Sequence, residues 1–294
     1  MSGASMSLDS IWVYPVKSMT GGTVPSAELH TLGIAGDRHW AVRSLEIGGI
    51  RGAKKLGGLM LFAAEFAKGI GTAEAMGVDI TLPDGSIVHS DDADVDVRIS
   101  AALGHRVTLE SLPSDGNLEH FRRGPATGAD PMEELRGVFG REPDEPLPDF
   151  SAFPPAIAEF ESPPGTHYDC WPLMVMTTSA LRALQVALPD ANVDVRRFRP
   201  SLVIDVDGAQ GHPEFSWTGR TATIGDGGAR IEFLRPCPRC VMTTREVRTP
   251  DGVIPADRSV LRHIVRDLDQ NLGVYARVIT PGPIAAGDAV RFDS

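Results

Sequence analysis

The chain has 294 residues and carries 39 acidic against 28 basic side chains, a formal charge of −11. That length buries a substantial core, in one large domain or two ordinary ones, without covalent staples. Three cysteines, with Cys170 far from Cys237 and Cys240, exclude a disulfide framework. The acidic balance repels nucleic acid, so no nucleic-acid partner is expected, although a few converging arginines and lysines can still hold a small anion. The opening MSGASMSLDS lacks a basic segment followed by an apolar run, and no stretch is long enough to span a bilayer. A cytoplasmic protein with no integral membrane segment is expected.

Through about residue 112 the sequence reads as short strands broken by glycine and aspartate. They run Ser10 to Val16, Thr23 to His30, Arg38 to Ser44, Val78 to Val88 around a Pro83-Asp84-Gly85 hairpin turn, and His105 to Ser111. Helix candidates in this half are LMLFAAEFAKGI, Leu59 to Ile70, and the segment Asp94 to Leu103. No P-loop or dinucleotide fingerprint appears where a strand would feed a helix. From 113 to 164 proline, glycine and acids predict an extended connection with a weak helix over Met132 to Val138. Next, WPLMVMTTSALRALQVAL predicts a strand, a cap at Thr177-Thr178-Ser179, and a helix with Leu181, Leu184 and Leu188 on one face. Arg196 to Val206, ATIGDGGARIEFLRP and Ala289 to Asp293 return to strand, while Val260, Leu261, Ile264 and Leu268 mark a helix over Asp257 to Leu268. The expected fold is mainly β with a few helices: a barrel-like β domain over 8–112, the connection 113–164, and a second β-barrel domain over 165–294.

Chemistry-bearing residues cluster at strand ends. Cys237-Pro238-Arg239-Cys240 sets two thiols between apolar runs. A structural zinc site needs four ligands and no second C-x2-C supplies them. A thioredoxin-like dithiol would open a helix, whereas VMTTREV after Cys240 reads as extended. Structural thiols, a metal or cofactor ligand, and redox chemistry all stay open on these residues; an inward Arg239 would favour thiolate at either cysteine. YPVKSMTGG places Lys17 and Ser18 after a strand, a charge and a hydroxyl suited to a phosphate, with a solvated strand-end lysine as the plain alternative. GDRHW sets Arg38 beside Asp37, as a local salt bridge or an oriented anion fork, and His39 reads as an ordinary barrel histidine. In RRFRPS, strand alternation would face Arg197 and Arg199 together, as a solvated or interface stripe or as an anion site.

The opening IWVYPVKSMTGGTVPSAELHTLGIAGDRHWAV resembles the N-terminal barrel that precedes the MOSC domain. DCWPLMVMTTSALRAL, RRFRPSLVIDV and RPCPRCVMTT, in that order, resemble the MOSC domain itself, named after the carboxy-terminal domain of molybdenum cofactor sulfurase. The pattern is most similar to the mitochondrial amidoxime-reducing components and their bacterial homologues. The resemblance implies a molybdenum cofactor, with the metal held by molybdopterin and by one cysteine, Cys240 here, while Cys237 lies nearby without being a ligand. It also implies pterin and phosphate contacts at Lys17, Ser18, Arg38, Arg199 and Tyr275, with Ser201, Pro238 and Arg239 completing the cofactor-binding set. Ser201 stands where the amidoxime reducers usually have asparagine, and Pro238 replaces a small polar residue, so one donor has a shorter reach and one backbone N–H is lost.

The implied activity is a molybdenum-dependent oxidoreductase that removes oxygen from N-hydroxylated small molecules such as amidoximes or hydroxylamines, with Cys240 as the catalytic metal ligand. Sulfur transfer through a Cys240 persulfide, and non-catalytic cofactor binding or delivery, are the alternatives; the absence of a desulfurase-like domain weighs against the first. With no ferredoxin-like extension after AVRFDS, electrons are expected from a separate donor protein.

Overall fold

Strands from both ends of the sequence join one eight-stranded sheet in the computed structural model, which describes residues 5–67, 76–113, 117–126, 128 and 130–293. The order is Val290–Phe292, Thr221–Ile224, Ala229–Pro238, Asn271–Thr280, Leu173–Thr177, Leu202–Val206, Met6–Val13 and Gly22–Val24. Neighbours are antiparallel except Leu173–Thr177 with Leu202–Val206, which are parallel and joined through the helix Thr178–Ala187. Met6–Val13 also reaches the far edge: Ser7 bridges Ala289, Leu8 N donates to Asp288 O at 2.8 Å, and Gly287 N donates to Leu8 O at 2.7 Å. These contacts close the sheet into a barrel, which satisfies backbone groups that an open edge would expose. Leu8, Ile11, Leu202, Ile204, Phe233 and Val274 fill its interior and are fully buried. A register shift between Leu8 and Ser10 turns Leu8 and Ile11 to this core, while Trp12 and Tyr14 join a separate cluster with Val203.

A second core forms in the N-terminal half. Trp40–Ser44 pairs with Ile50–Arg51 and Val107–Ser111, and Ala63–Phe66, Val78–Thr81 and Ile87–His89 make a meander. Val42, Phe62 and Ile80 pack there against Met242, Val247 and Ile254, so the segment after Cys240 is anchored in the opposite half of the sequence. A third cluster, including Met176, Leu184, Phe198, Cys237 and Ile264, seats the helices Thr178–Ala187 and Arg258–Asp267.

The fold is mainly β with few helices, in two β-rich parts, as the strand and turn signals predict. The helices form where caps announce them. Thr177 Oγ1 accepts from Ala180 N at 3.1 Å, Asp257 Oδ1 accepts from Ser259 N at 2.8 Å, and Gly104 at φ 66° ends the helix Val95–Leu103. The weak helix of the connection is Pro131–Phe139, capped by Asp130 and stopped by Gly140. No helix among the described residues is long and apolar enough to cross a membrane.

Four local expectations give way to tertiary contacts. The helix expected over Leu59 to Ile70 is a 3-10 turn, Gly57–Leu61, followed by the strand Ala63–Phe66; its last residues, 68–70, lie outside the described residues. Phe62 and Ala64 are buried and Glu65 is exposed, a period of two hidden in an apolar run. The strand expected over Thr23 to His30 breaks at Pro25, where a missing N–H cannot continue the ladder; Ser26–His30 pairs instead with Gly282–Ala285. VMTTREV is not extended at its start, since Val241–Thr244 forms one 3-10 turn. The strand expected from Arg196 begins only at Leu202, because Asp194 caps a 3-10 turn over Val195–Arg197.

Arg197 and Arg199 therefore do not share a strand face. Arg197 is 1% exposed and donates to Asn192 O at 2.9 Å, Arg245 O at 2.9 Å and Pro255 O at 2.7 Å, bracing the segment that follows Cys240. Replacing Arg197 with methionine keeps the volume and leaves those carbonyls unpaired. Chemical denaturation is expected to show a loss of about 3 kcal/mol; a loss below about 0.5 kcal/mol, the scale of an ordinary surface change, would contradict the bracing role.

Candidate functional site

Five described residues other than glycine adopt positive φ: Ser18 at 69°, Arg38 at 52°, Arg199 at 57°, Asp269 at 47° and Gln270 at 70°. A left-handed backbone costs an L-residue roughly 1–2 kcal/mol and persists where surrounding contacts enforce it. Three of the five were singled out from the sequence. Gln270 O accepts from Arg239 N at 2.8 Å, which places the other two beside the cysteine motif.

Tyr14 is the centre of the cation-rich side. It is fully buried, with the Arg199 guanidinium 4.1 Å and the Arg38 guanidinium 5.1 Å from its ring centroid; Arg38 also lies 4.8 Å from the Tyr168 ring. Asp37 accepts from Tyr14 N at 2.8 Å and pairs with Arg38, so the local salt bridge at GDRHW forms inside the site. Arg199 Nη1 donates to Met19 O, while Nη2 is buried without a partner. Burial, aided by the charge of Arg38, pushes Arg199 down to about 10.

Lys17 is buried, not a solvated strand-end lysine. Its ammonium donates to His167 O and Asp169 Oδ1, each at 2.7 Å, and to Ser162 Oγ at 3.3 Å, so all three donors are engaged. Burial lowers its pKa against the pull of Asp169. Lys54 sits 2.9 Å from the other Asp169 oxygen. Burial opposes ionisation of Asp169, but the two ammonium groups outweigh it and hold the carboxyl well below the usual range. Ser18 Oγ accepts from Ala53 N at 2.9 Å and keeps its own proton to donate. His39 packs edge-on against Trp40 at 5.9 Å, and burial lowers its pKa.

The thiol side is asymmetric. Arg239 turns inward, as an effect on either cysteine requires, and donates from Nη1 to Cys237 Sγ at 3.2 Å and from Nη2 to Phe198 O at 2.6 Å. Tyr275 packs against the cluster that holds Cys237, and its ring lies 4.8 Å from Trp171. Cys237 is buried; burial pushes its thiol up against the effect of Arg239. Cys240 is only half-buried and begins the Val241–Thr244 turn, its carbonyl accepting from Thr243 N at 3.2 Å and Thr243 Oγ1 at 3.0 Å. Pro238 ends the strand that delivers the motif. A cleft of about 590 Å³, bordered by Arg141, Val241, Thr244, Arg245 and Leu261, opens beside this turn.

Lys17, Ser18, Arg38 and Arg199 thus gather on the Tyr14 side, and Arg239, Cys240 and Tyr275 on the thiol side. Lys54 links them, its ammonium pairing with Asp169 and its carbonyl accepting from Arg245 Nη2 at 3.5 Å. Ser201 is spent on the sheet: its N donates to Met174 O at 2.8 Å and its Oγ accepts from Met174 N at 3.4 Å. Tyr14, Lys54 and Asp169 were not foreseen as site residues. The signals available were a lysine pair between glycines in GAKKLGG and an aspartate opening DCWP, neither of which has a diagnostic period.

Residues 5–117 match the family model of the MOSC N-terminal beta barrel domain, and residues 164–291 match that of the MOSC domain. Mitochondrial amidoxime reducing component 2 of Bos taurus is 23% identical over 304 residues, covering 96% of this chain and 82% of its own length. The protein of the same name from Macaca fascicularis is 27% identical over 138 residues, 42% of this chain and 37% of its own. Among solved structures, the YUAD protein from Bacillus subtilis aligns over 98% of this chain and 95% of its own, with a TM-score of 0.43 and 10% identity. With both β-rich parts matched, the chain is a MOSC domain protein with an N-terminal MOSC barrel domain, related to the mitochondrial amidoxime-reducing component family.

Proposed function

We propose that this protein binds molybdenum cofactor and reductively removes oxygen from N-hydroxylated small molecules such as amidoximes or hydroxylamines. The observation that carries the reading is a local surplus of positive charge, with Lys17 and Arg199 buried and Arg38 and Lys54 half-buried. Lys17, Lys54, Arg38 and Arg199 surround two carboxylates, Asp37 and Asp169, in a chain of charge −11, and Arg199 Nη2 is left without a partner. Such a set suits a phosphate, which accepts several charge-assisted hydrogen bonds at once. Cys240 offers one soft sulfur, and no group of three His, Cys, Asp or Glu among the described residues is placed to hold a metal. A metal at Cys240 would thus take its other donors from a bound ligand, as a dithiolene-bearing pterin supplies them. When bound, that cofactor supplies the two-electron chemistry the side chains lack.

The chain's own residues bind and orient. Cys240 presents its sulfur from the start of a fixed turn, and Arg239, tied to Cys237 and Phe198 O, holds the strand end that precedes it. Arg38, Arg199 and the Ser18 hydroxyl face the anion, while Lys17 and Lys54 fix Asp169 and add charge. The substrate class follows from what the relatives are named for reducing. A separate electron-donor protein and a cytoplasmic setting belong to the same proposal.

Protein made in cells that synthesise the cofactor is expected to hold close to one molybdenum and one pterin per chain. Arg199→Ala, which removes charge-assisted bonds worth about 2 kcal/mol, should weaken pterin retention roughly thirtyfold, and Arg199→Lys should lie between the two. Elemental analysis that finds only zinc, with no releasable pterin, would reject the cofactor.

The two thiols should respond unequally. X-ray absorption at the molybdenum edge is expected to lose one sulfur in Cys240→Ser and none in Cys237→Ser. An unchanged sulfur count in fully loaded Cys240→Ser would remove Cys240 from the metal shell.

Loaded wild type should deoxygenate a simple amidoxime or hydroxylamine with a chemical electron donor, and Cys240→Ser should not. No turnover on any N-hydroxylated compound, together with passage of sulfur from a Cys240 persulfide to an acceptor, would replace reduction by sulfur transfer.

A further inference from the structure

Behind the cations lie two facing histidines that neither the sequence motifs nor the proposed chemistry uses. His120 and His167 are 7% and 1% exposed, and their Nε2 atoms are 2.8 Å apart. Two ring nitrogens at that distance need one proton between them, and the groups at the outer nitrogens decide whose it is. His120 Nδ1 lies 3.2 Å from Arg43 Nη2, and a guanidinium only donates, so Nδ1 accepts and the His120 proton sits on Nε2. His167 Nδ1 lies 3.1 Å from Arg38 O, and a carbonyl only accepts, so the His167 proton sits on Nδ1 and its Nε2 is bare. Both ends give the same direction, with every donor matched to an acceptor from Arg43 through His120 and His167 to the Arg38 carbonyl.

The reverse order would need His167 protonated on both nitrogens, and burial, reinforced by Lys17 and His120, pushes its pKa down to about 3. Glu110 comes within 3.3 Å of His120 Nδ1 but does not displace the donor. Both of its oxygens accept from Arg43 Nε, at 2.8 and 2.9 Å, which holds the guanidinium in place.

The far end of this chain is the left-handed residue Arg38. Its N–H donates to Tyr14 O at 2.8 Å and its carbonyl receives the His167 ring, so the peptide groups on both sides of that backbone are fixed. The His167 carbonyl in turn accepts from Lys17 Nζ at 2.7 Å. One residue therefore serves two of the site's cations, one through its ring and one through its backbone. We propose that His120 and His167 are positioning residues, a neutral, proton-ordered strut running from Arg43 that fixes the Arg38 backbone and the Lys17 ammonium before an anion binds. The strut's value for holding a pterin phosphate rests on the cofactor reading; its hydrogen-bond order does not.

Nitrogen-15 NMR of the histidine rings in the full-length protein near neutral pH tests the order directly. His120 is expected to carry its proton on Nε2 and His167 on Nδ1, with scalar coupling between the two Nε2 atoms. A proton on His167 Nε2, or a doubly protonated ring, would overturn the strut. Positioning is tested by His120→Leu and His167→Leu against His120→Gln and His167→Asn, which return an amide donor near the ring nitrogen. The leucine variants should retain about tenfold less pterin per chain at limiting cofactor, the scale seen when outer supports of a bound group are removed, and the amide variants should recover most of it. Folded leucine variants that load like wild type would overturn the positioning role. Should wild type hold no pterin, the cofactor reading falls alone and hydrogen exchange of the Arg38 amide decides the strut. Protection there is expected to drop about tenfold in the leucine variants and to return in the amide variants; unchanged protection would refute it.

Discussion

Two guanidinium groups packed against one tyrosine ring, that of Arg199 buried, set the terms for the rest of the site. Burial, aided by the charge of Arg38, disfavours the charge of Arg199, as its drop to about 10 records. Taking such a group out of water is unfavourable by several kcal/mol until it is paired. Asp37 pairs with Arg38 and the Met19 carbonyl accepts from Arg199, yet one Arg199 nitrogen stays unpaired. A chain folding only for stability would bury an apolar side chain there. Under the proposed function the unpaired nitrogen is a donor kept for the anion, and the left-handed backbone at Ser18, Arg38 and Arg199 places strain at the same point.

That strain is sustained because the site lies at a seam between two cores. Lys17, Ser18, Arg38 and Lys54 come from the N-terminal half, and Asp169, Arg199, Arg239 and Cys240 from the C-terminal half. Met242, Val247 and Ile254 lock the segment after Cys240 into the N-terminal core, and the first strand closes the C-terminal barrel. Each half thus completes the other's packing. Arg197, which the sequence offers as an anion ligand equal to Arg199, serves this seam instead by gathering carbonyls from three segments.

What could be read in advance follows from how local each signal is. Thr177, Asp257 and Gly104 act within one turn of helix, so the helices they bound were visible in the sequence. The run from Leu59 reads as helix because apolar residues on both strand faces erase the period-two signature. The run from Arg196 reads as strand from its β-formers, and a cap at Asp194 overrides that propensity. At the site, Lys17, Ser18, Arg38, Arg199 and Cys240 stand in motifs that a resemblance identifies together. Lys54, Asp169 and the two histidines owe their places to contacts between residues more than 40 positions apart, which no window of sequence displays.

The departures at Pro238 and Ser201 become intelligible in the same terms. Pro236 and Pro238 bracket Cys237 on the strand Ala229–Pro238, and the ladder with Asn271–Thr280 shifts register between them, so the two missing N–H groups fall where pairing is already irregular. Both prolines fix φ on the approach to the half-buried thiol, and Arg239 between Pro238 and Cys240 adds anchors at Cys237, Phe198 O and Gln270 O. Ser201 is short enough to turn its hydroxyl back to the Met174 amide and stay within the barrel wall. In this chain the strand end before Cys240 is stiffened by backbone restriction, and in the proposed function the arginines and the Ser18 hydroxyl are left to hold the anion.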